Sequence, residues 1–255
     1  MGRPVYLRGV SLPLNGKVSL ITGASRGIGA ATATKLASLG SDVVVNYRSK
    51  SARAERVCQE IRKLGRKATA VQADLTNEFE TAAMMSDIQK TYAHLDILVL
   101  NASGGLEQGK LEDYAMTLNR DAQLRTAKLA TCLIPEGGRI VFVTSHWAHF
   151  YGQRPVISSY EVVARSKHAG EQALRDYASE LNGSGISLVF VSGDIIEGTI
   201  TPRLLERKNP GLIEHRRHHA RNLPTVDEFA QAIAAAAWDQ SLSSGHTTFV
   251  GPIDY

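Results

Sequence analysis

Residues 18–29 read Val18-Ser19-Leu20-Ile21-Thr22-Gly23-Ala24-Ser25-Arg26-Gly27-Ile28-Gly29, an apolar run that breaks into three glycines. Val18, Leu20 and Ile21 carry the pattern of a buried strand. Beyond the glycines, Ala30, Ala31, Ala33, Leu36, Ala37 and Leu39 carry that of a helix. A strand that turns directly into a helix start offers free backbone N–H groups and a positive dipole end, which together suit a phosphate. Gly23 permits the turn, Gly27 lets a pyrophosphate approach, and Gly29 lets the helix lie near the strand. The flanking strand and helix give the glycine triplet its weight, because a triplet without them is common.

The same alternation continues along the chain. Strand patterns fall at 17–22, 42–47, 67–72, 96–100, 139–143, 186–191 and 247–250. Helical patterns fall at 27–39, 51–64, 77–92, 111–134, 160–182 and 225–238. Gly40 and Gly65 close the first two helices, and Asn77 and Thr225 cap two later ones. In the helix at 160–182, Ala169, Ala173, Tyr177 and Leu181 share a face. Strands separated by helices predict an α/β fold: a Rossmann-like, doubly wound parallel sheet of about seven strands in three α/β/α layers. Residues 1–16 read as an N-terminal arm, 17–255 as a single dinucleotide-binding domain, and 194–223 as an irregular, basic, partly helical insertion.

Apolar residues at 43% and charged residues at 21% describe a globular chain, and a net charge of +4 is too mild to argue for nucleic acid. No run reaches the length of a membrane span, and residues 1–16, with Arg3, Pro4, Arg8 and Pro13, lack the apolar core of a secretory signal. A cytoplasmic protein is expected. Cys58 and Cys132 lie in helical patterns and are expected as buried or half-buried thiols in a reducing compartment.

These residues resemble the short-chain dehydrogenase/reductases, and the similarity covers nearly the whole chain. Residues 22–29 look like the family's cofactor fingerprint. Asp74, followed by Leu75, matches the aspartate that contacts the adenine. Asn101-Ala102-Ser103-Gly104 is similar to the family's Asn-Asn-Ala-Gly turn, with Leu100 for the first Asn and Ser103 for the Gly. Gly193 and Thr199 resemble the Pro-Gly…Thr segment that holds the carboxamide; Ser192 replaces the proline and the threonine is displaced. The resemblance implies a nicotinamide dinucleotide held by Gly23, Ser25, Arg26, Gly27, Ile28, Gly29, Tyr47, Arg48, Ser49, Asp74, Leu75, Asn101, Ala102, Ser103, Lys167, Gly193 and Thr199. An NAD site needs an acid at the end of the second strand to accept from the ribose hydroxyls, whereas this chain has Asn46-Tyr47-Arg48-Ser49. Arg26 and Arg48 suit a 2′-phosphate instead, so the expected cofactor is NADP(H).

The family's catalytic set is Asn, Ser, Tyr and Lys, and here it falls on Asn119, Ser145, Tyr160 and Lys167. In that set the Tyr gives a proton to the carbonyl oxygen, the Lys lowers the tyrosine pKa and holds the ribose, the Ser orients the carbonyl, and the Asn anchors a relay water. Lys167 lies in Arg165-Ser166-Lys167-His168-Ala169, but Val163, not Tyr, stands four residues before it; the nearest tyrosine, Tyr160, is seven before. On a helix, seven residues is about 10 Å along the axis against about 6 Å for four. The two side chains converge only by leaning inward or if Tyr160 lies in a loop ahead of the helix. His146, His149 and Tyr151 are other nearby donors, and the substrate could carry its own.

Arg203, Arg207, Lys208, Arg216, Arg217 and Arg221 cluster with His215, His218 and His219. In the family this region is a lid over the substrate, and a positive lid would favour an acidic substrate or a carrier-borne ester; an exposed helix face is the plainer account. No carboxylate or cysteine accompanies the histidines in a recognisable site, so no metal site is expected. The expected function is an NADPH-dependent reductase of a small carbonyl substrate, a ketoreductase; the resemblance also implies a homo-dimer or homo-tetramer paired through the helices near 111–134 and 160–182. The competing reading is a dinucleotide-binding sensor or scaffold with lost or altered catalysis, and a nucleic-acid binder rests only on the positive charge.

Overall fold

The computed structural model describes residues 12–106, 112–220 and 222–253. Residues 1–11 of the expected arm, the expected helix start at Leu111, and Arg221 of the basic cluster lie outside the described residues. Strands β1 (Val18–Ile21), β2 (Asp42–Tyr47), β3 (Ala68–Gln72), β4 (Ile97–Leu100), β5 (Arg139–Ser145), β6 (Ser187–Gly193) and β7 (Thr247–Val250) form one sheet in the order β3-β2-β1-β4-β5-β6-β7. Every neighbouring pair is parallel. The order reverses between β1 and β4, where crossovers leave the sheet to opposite sides and open a crevice at the strands' carboxyl ends.

Helices α1 (Gly27–Ser38), α2 (Ser51–Lys63) and α10 (Val226–Trp238) cover one face of the sheet; α3 (Glu78–Tyr92), α5 (Ala122–Thr131) and α7 (Glu161–Glu180) cover the other. The strands feed both cores by simple alternation. Leu20, Leu98 and Ile140 pack with Met84, Ala127 and Leu174, while their neighbours Ile21, Val99 and Val141 pack with Leu36, Ile61 and Ile233. The expected caps are present. Asn77 Oδ1 accepts from the Phe79 and Glu80 amides at 3.0 and 3.3 Å, and Thr225 forms a capping box with Glu228.

Several elements differ from their expected form. The helix expected through 134 comprises α4 (Glu112–Met116), a π-helical turn (Thr117–Asp121) and α5. That turn lies against Gly170 of α7, where an added Cβ would sit 2.0 Å from the Asn119 carbonyl oxygen. The helix expected from residue 160 begins at Glu161, and Tyr160 ends a 3-10 turn (Ser158–Tyr160) ahead of it. Its buried stripe runs through Val163, Lys167, Gly170, Leu174 and Tyr177, while Ala169 and Ala173 are only half-buried. The loop after β5 contains a short helix, α6 (His146–His149), and the segment expected to be irregular and partly helical forms two regular helices, α8 (Ile200–Lys208) and α9 (Leu212–Ala220). Cys58 is buried as expected, but Cys132 is exposed because α5 ends there and turns it outward. Among the described residues no helix is long and apolar enough to cross a membrane.

Candidate active site

One groove runs along the carboxyl ends of the strands, and its two halves share Arg26, Ile28, Asn101, Ser103, Thr199, Ile200 and Thr201. The first half, about 600 Å³, is built on the glycine turn. Thr22 Oγ1 accepts from the Asn101 and Ala102 amides at 2.9 and 3.0 Å, and Asn101 Nδ2 donates back to the Thr22 carbonyl at 2.9 Å. Asn46 Oδ1 accepts from the Gly23 amide at 3.1 Å while its Nδ2 donates to the Ala73 carbonyl at 3.2 Å. The ends of four strands are thereby stitched to one turn. Gly29 is required by contact, since a Cβ there would meet Asn101 Nδ2 at 2.6 Å and the Gly23 carbonyl oxygen at 2.9 Å. Gly27 has φ +58° and faces open space. The start of α1 carries no side-chain cap and no acid in its first turn.

Gly23, Ser25, Gly27, Gly29, Tyr47, Arg48, Ser49, Asp74, Leu75 and Ala102 all line this half. Asp74 is the one carboxylate among its described lining residues, and its Oδ1 accepts from the Thr76 amide and hydroxyl. Cations share the lining: besides Arg26 and Arg48 it includes Lys50 and Arg53, which the sequence did not single out, and Arg203, which the sequence placed in the basic segment after β6. Lys50 and Arg53 follow directly on Arg48-Ser49, so their clustering was visible; Arg203 arrives from a distant helix.

The second half, about 570 Å³, gathers Ser145 from the end of β5, Tyr160 from the 3-10 turn and Lys167 from α7. Because Tyr160 precedes the helix rather than riding on it, its hydroxyl reaches Ser145 Oγ at 3.2 Å. Val163, at the position where the family's tyrosine is expected, lines the groove and packs in an apolar cluster with Tyr160, Ala164 and Leu205. The Trp147 ring leans on Tyr160 with centroids 5.1 Å apart. Gly193 lies beneath the groove, paired in register with Ser145, and has the Phe229 ring where a Cβ would need to be, 2.7 Å away. Asn119 does not line the groove: its amide group bonds the Gly104 backbone on both sides and donates to Ser166 Oγ at 2.9 Å.

The two central protons answer to different neighbours. Burial pushes the Tyr160 phenol up, opposed by its hydrogen bond to Ser145. Burial pushes the Lys167 ammonium down to about 8, opposed by the carboxylate of Glu171 one turn later. Glu171 is itself buried and held ionised by His149 Nδ1 at 2.6 Å and Arg175 Nη2 at 2.8 Å. His146 is a buried ring held by Ser192 Oγ at 2.8 Å, with its pKa lowered to about 4 by burial, so it is neutral. The same bond gives Ser192, which stands where the resemblance expects proline, a physical role. Tyr151 donates to Glu161. Neither His146, His149 nor Tyr151 lines the groove. Among the described residues no group of three metal-ligating side chains is assembled.

The family model of the short chain dehydrogenases matches residues 17–209, most of the chain. The protein belongs to the short-chain dehydrogenase/reductase family. Among its relatives are a short-chain dehydrogenase/reductase of Pestalotiopsis microspora, 34% identical over 74% of this chain and 71% of that protein, and the hydroxynaphthalene reductase-like protein Arp2 of Metarhizium robertsii, 37% identical over 69% and 66%. A short chain dehydrogenase from Burkholderia cenocepacia in complex with NADP superposes with a TM-score of 0.81 at 28% identity, over 93% of this chain and 97% of that one. As a member of this family the protein is an oxidoreductase that binds a nicotinamide cofactor. The open face of Gly27, the uncapped start of α1 and the surrounding cations fit the pyrophosphate and phosphates of such a group.

Proposed function

We propose that the protein is an NADPH-dependent ketoreductase in which Tyr160 is the proton donor. The observation that carries this reading is the hydrogen bond from Tyr160 Oη to Ser145 Oγ, 3.2 Å, inside the groove that Lys167 also lines. When bound, the nicotinamide supplies the hydride. The chain supplies the rest. Ser145 donates a hydrogen bond that orients the carbonyl. Tyr160 Oη, held protonated at neutral pH by burial, gives its proton to the substrate oxygen as that oxygen gains charge. Lys167 holds the ribose. In this reading its charge owes more to Glu171 than to any pairing with Tyr160. Asn119 keeps the Gly104 turn and α7 in register, a positioning role.

Preference for NADPH rests on the absence of an acid at the end of β2 and on Arg26, Arg48, Lys50 and Arg53 around the same half of the groove. The relative from Burkholderia cenocepacia that holds NADP supports it. A cytoplasmic location and a homo-dimer or homo-tetramer through α5 and α7 belong to the same reading, and light scattering tests the assembly. The decisive experiment measures NADPH oxidation across a ketone panel for the wild type, Tyr160→Phe and Val163→Tyr. Turnover lost in Tyr160→Phe supports the reading. Full turnover in that variant removes Tyr160 from the chemistry, and tight NADPH binding with no turnover on any ketone favours a binding protein.

A further inference from the structure

The basic segment after β6 is two populations of charge. Arg216 is buried and forms a bidentate pair with Asp194 at 2.8–3.2 Å, and Arg217 pairs with Glu197 and Glu214. These arginines fasten α9 to the rest of the fold. Arg207 and Lys208 behave differently. Both are exposed, both line the reaction half of the groove, and among the described residues neither side chain has a hydrogen bond or an ion pair. Two described acids near them are engaged elsewhere. Glu206, adjacent in sequence, accepts from the Gly211 and Ile213 amides at the start of α9, and Asp194, the one carboxylate lining this half, is held by Arg216.

Their position relative to the chemistry is set by two contacts. Asn209, the residue after Lys208, donates from its side chain to Ser159 Oγ, and Ser159 precedes Tyr160. Leu205 is buried in the same apolar cluster as Tyr160 and Val163. The cationic end of α8 is therefore the end tied to the tyrosine turn. On the groove side of α8, Ile200 and Leu204 precede Lys208 at four-residue steps, so an apolar wall runs into a cationic end about 6 Å beyond Leu204. Basic residues in a last turn also complement the helix dipole. That accounts for their sign but not for two cations lining the groove with no partner among the described residues.

We infer that Arg207 and Lys208 form an anion-binding subsite for the substrate, so that the carbonyl compound reduced here carries a carboxylate or phosphate a few bonds from its ketone. This rests on the ketoreductase reading of the same groove. The apolar wall and the Trp147–Tyr160 pair would take the carbon skeleton between the two polar ends.

The test compares 5-oxo-5-phenylpentanoate with its neutral methyl ester, and with the matching phosphate monoester of a phenyl ketone, on the wild type and on Arg207→Gln/Lys208→Gln. Glutamine keeps helix propensity, and thermal melting checks that the variant folds. Turnover with NADPH is measured together with calorimetric binding of the same compounds to the enzyme saturated with NADP+. The expected result is tighter binding and higher kcat/KM for the anions than for the ester in the wild type. In the variant, Kd and KM for the anions should rise about fivefold to tenfold, with kcat, the ester and the NADPH KM unmoved. Whichever of carboxylate and phosphate shows the larger loss identifies the natural anion. Equal binding of acid and ester by the wild type, or a variant that loses both alike or loses NADPH affinity instead, overturns the subsite. Preferential anion binding with no turnover of any ketone would preserve the subsite and defeat the ketoreductase reading.

Discussion

The two halves of the groove are built by different means. In the cofactor half the contacts come from segments that each end a strand: Thr22, Asn46, Ala73 and Asn101 bond one another's backbones and hold the glycine turn between them. The Thr22, Asn46 and Asn101 side chains bond backbone groups at neighbouring strand ends, so adjacent strands do the positioning. In the reaction half, Ser145, Tyr160, Lys167 and Arg207 come from a strand, a 3-10 turn and two helices. Only packing brings them together, and one changed contact moves a hydroxyl. The comparison teaches that the cofactor half is fixed by short bonds between strand ends, and the reaction half by packing between elements distant in sequence.

The largest expected effect lies in the reaction half. Tyr160→Phe should lower kcat about 10²- to 10⁴-fold while leaving NADPH affinity unchanged, and adding Val163→Tyr should not restore it, because Val163 packs beside Gly105 and Tyr160. Restoration by Val163→Tyr would mean that the site is still laid out for a tyrosine on α7. Steady-state kinetics decides.

Next comes Gly170→Ala. Alanine favours a helix intrinsically, yet here its Cβ would meet the Asn119 carbonyl oxygen at 2.0 Å, so the variant should lose about 2–4 kcal/mol in urea unfolding. Gly29→Ala makes the matching test in the other half. It should weaken NADPH binding together with stability, whereas a Gly170→Ala protein that still folds should keep its NADPH affinity.

The third effect is a pH dependence of stability. His146 is lowered from 6.5 to about 4, so the unfolded chain binds the proton more strongly than the folded one between those values. Its contribution is present above pH 6.5 and is lost as the pH falls toward 4, at most about 3 kcal/mol. Unfolding free energies across that window, compared with His146→Asn, should show a flatter slope in the variant. The smallest effect belongs to the cofactor half: Arg26→Gln/Arg48→Gln should raise the NADPH KM roughly tenfold and leave that for NADH nearly unmoved. Equal losses for both cofactors would show that these arginines do not read the 2′-phosphate.

How much was legible in the chain follows the same division. The strand periodicity at Val18, Leu20 and Ile21 and the caps at Asn77 and Thr225 are local, and the elements formed where they were expected. The cofactor groove was legible for a related reason: its lining sits at the ends of strands whose order follows from the alternating pattern. The break between α4 and α5, the start of α7 and the extent of the two helices after β6, a segment expected only to be partly helical, were not. Each depends on a partner far away in sequence: Gly170 against Asn119, Ser145 beneath Tyr160, Asp194 against Arg216. Ser192 in place of a proline reads as a mere departure until His146 is seen bonded to it.

By itself, then, the amino-acid sequence determined the parallel sheet, the glycine turn and its cations, because neighbouring residues set backbone geometry and hydrophobic period. Only the tertiary structure decided which tyrosine meets Ser145 and which arginines are already paired. Those outcomes depend on contacts between elements that sequence spacing does not measure: a tyrosine seven residues before Lys167 reaches the serine because its turn sits ahead of the helix, and among the described residues Arg207 has no partner while Glu206 and Asp194 are held by other groups.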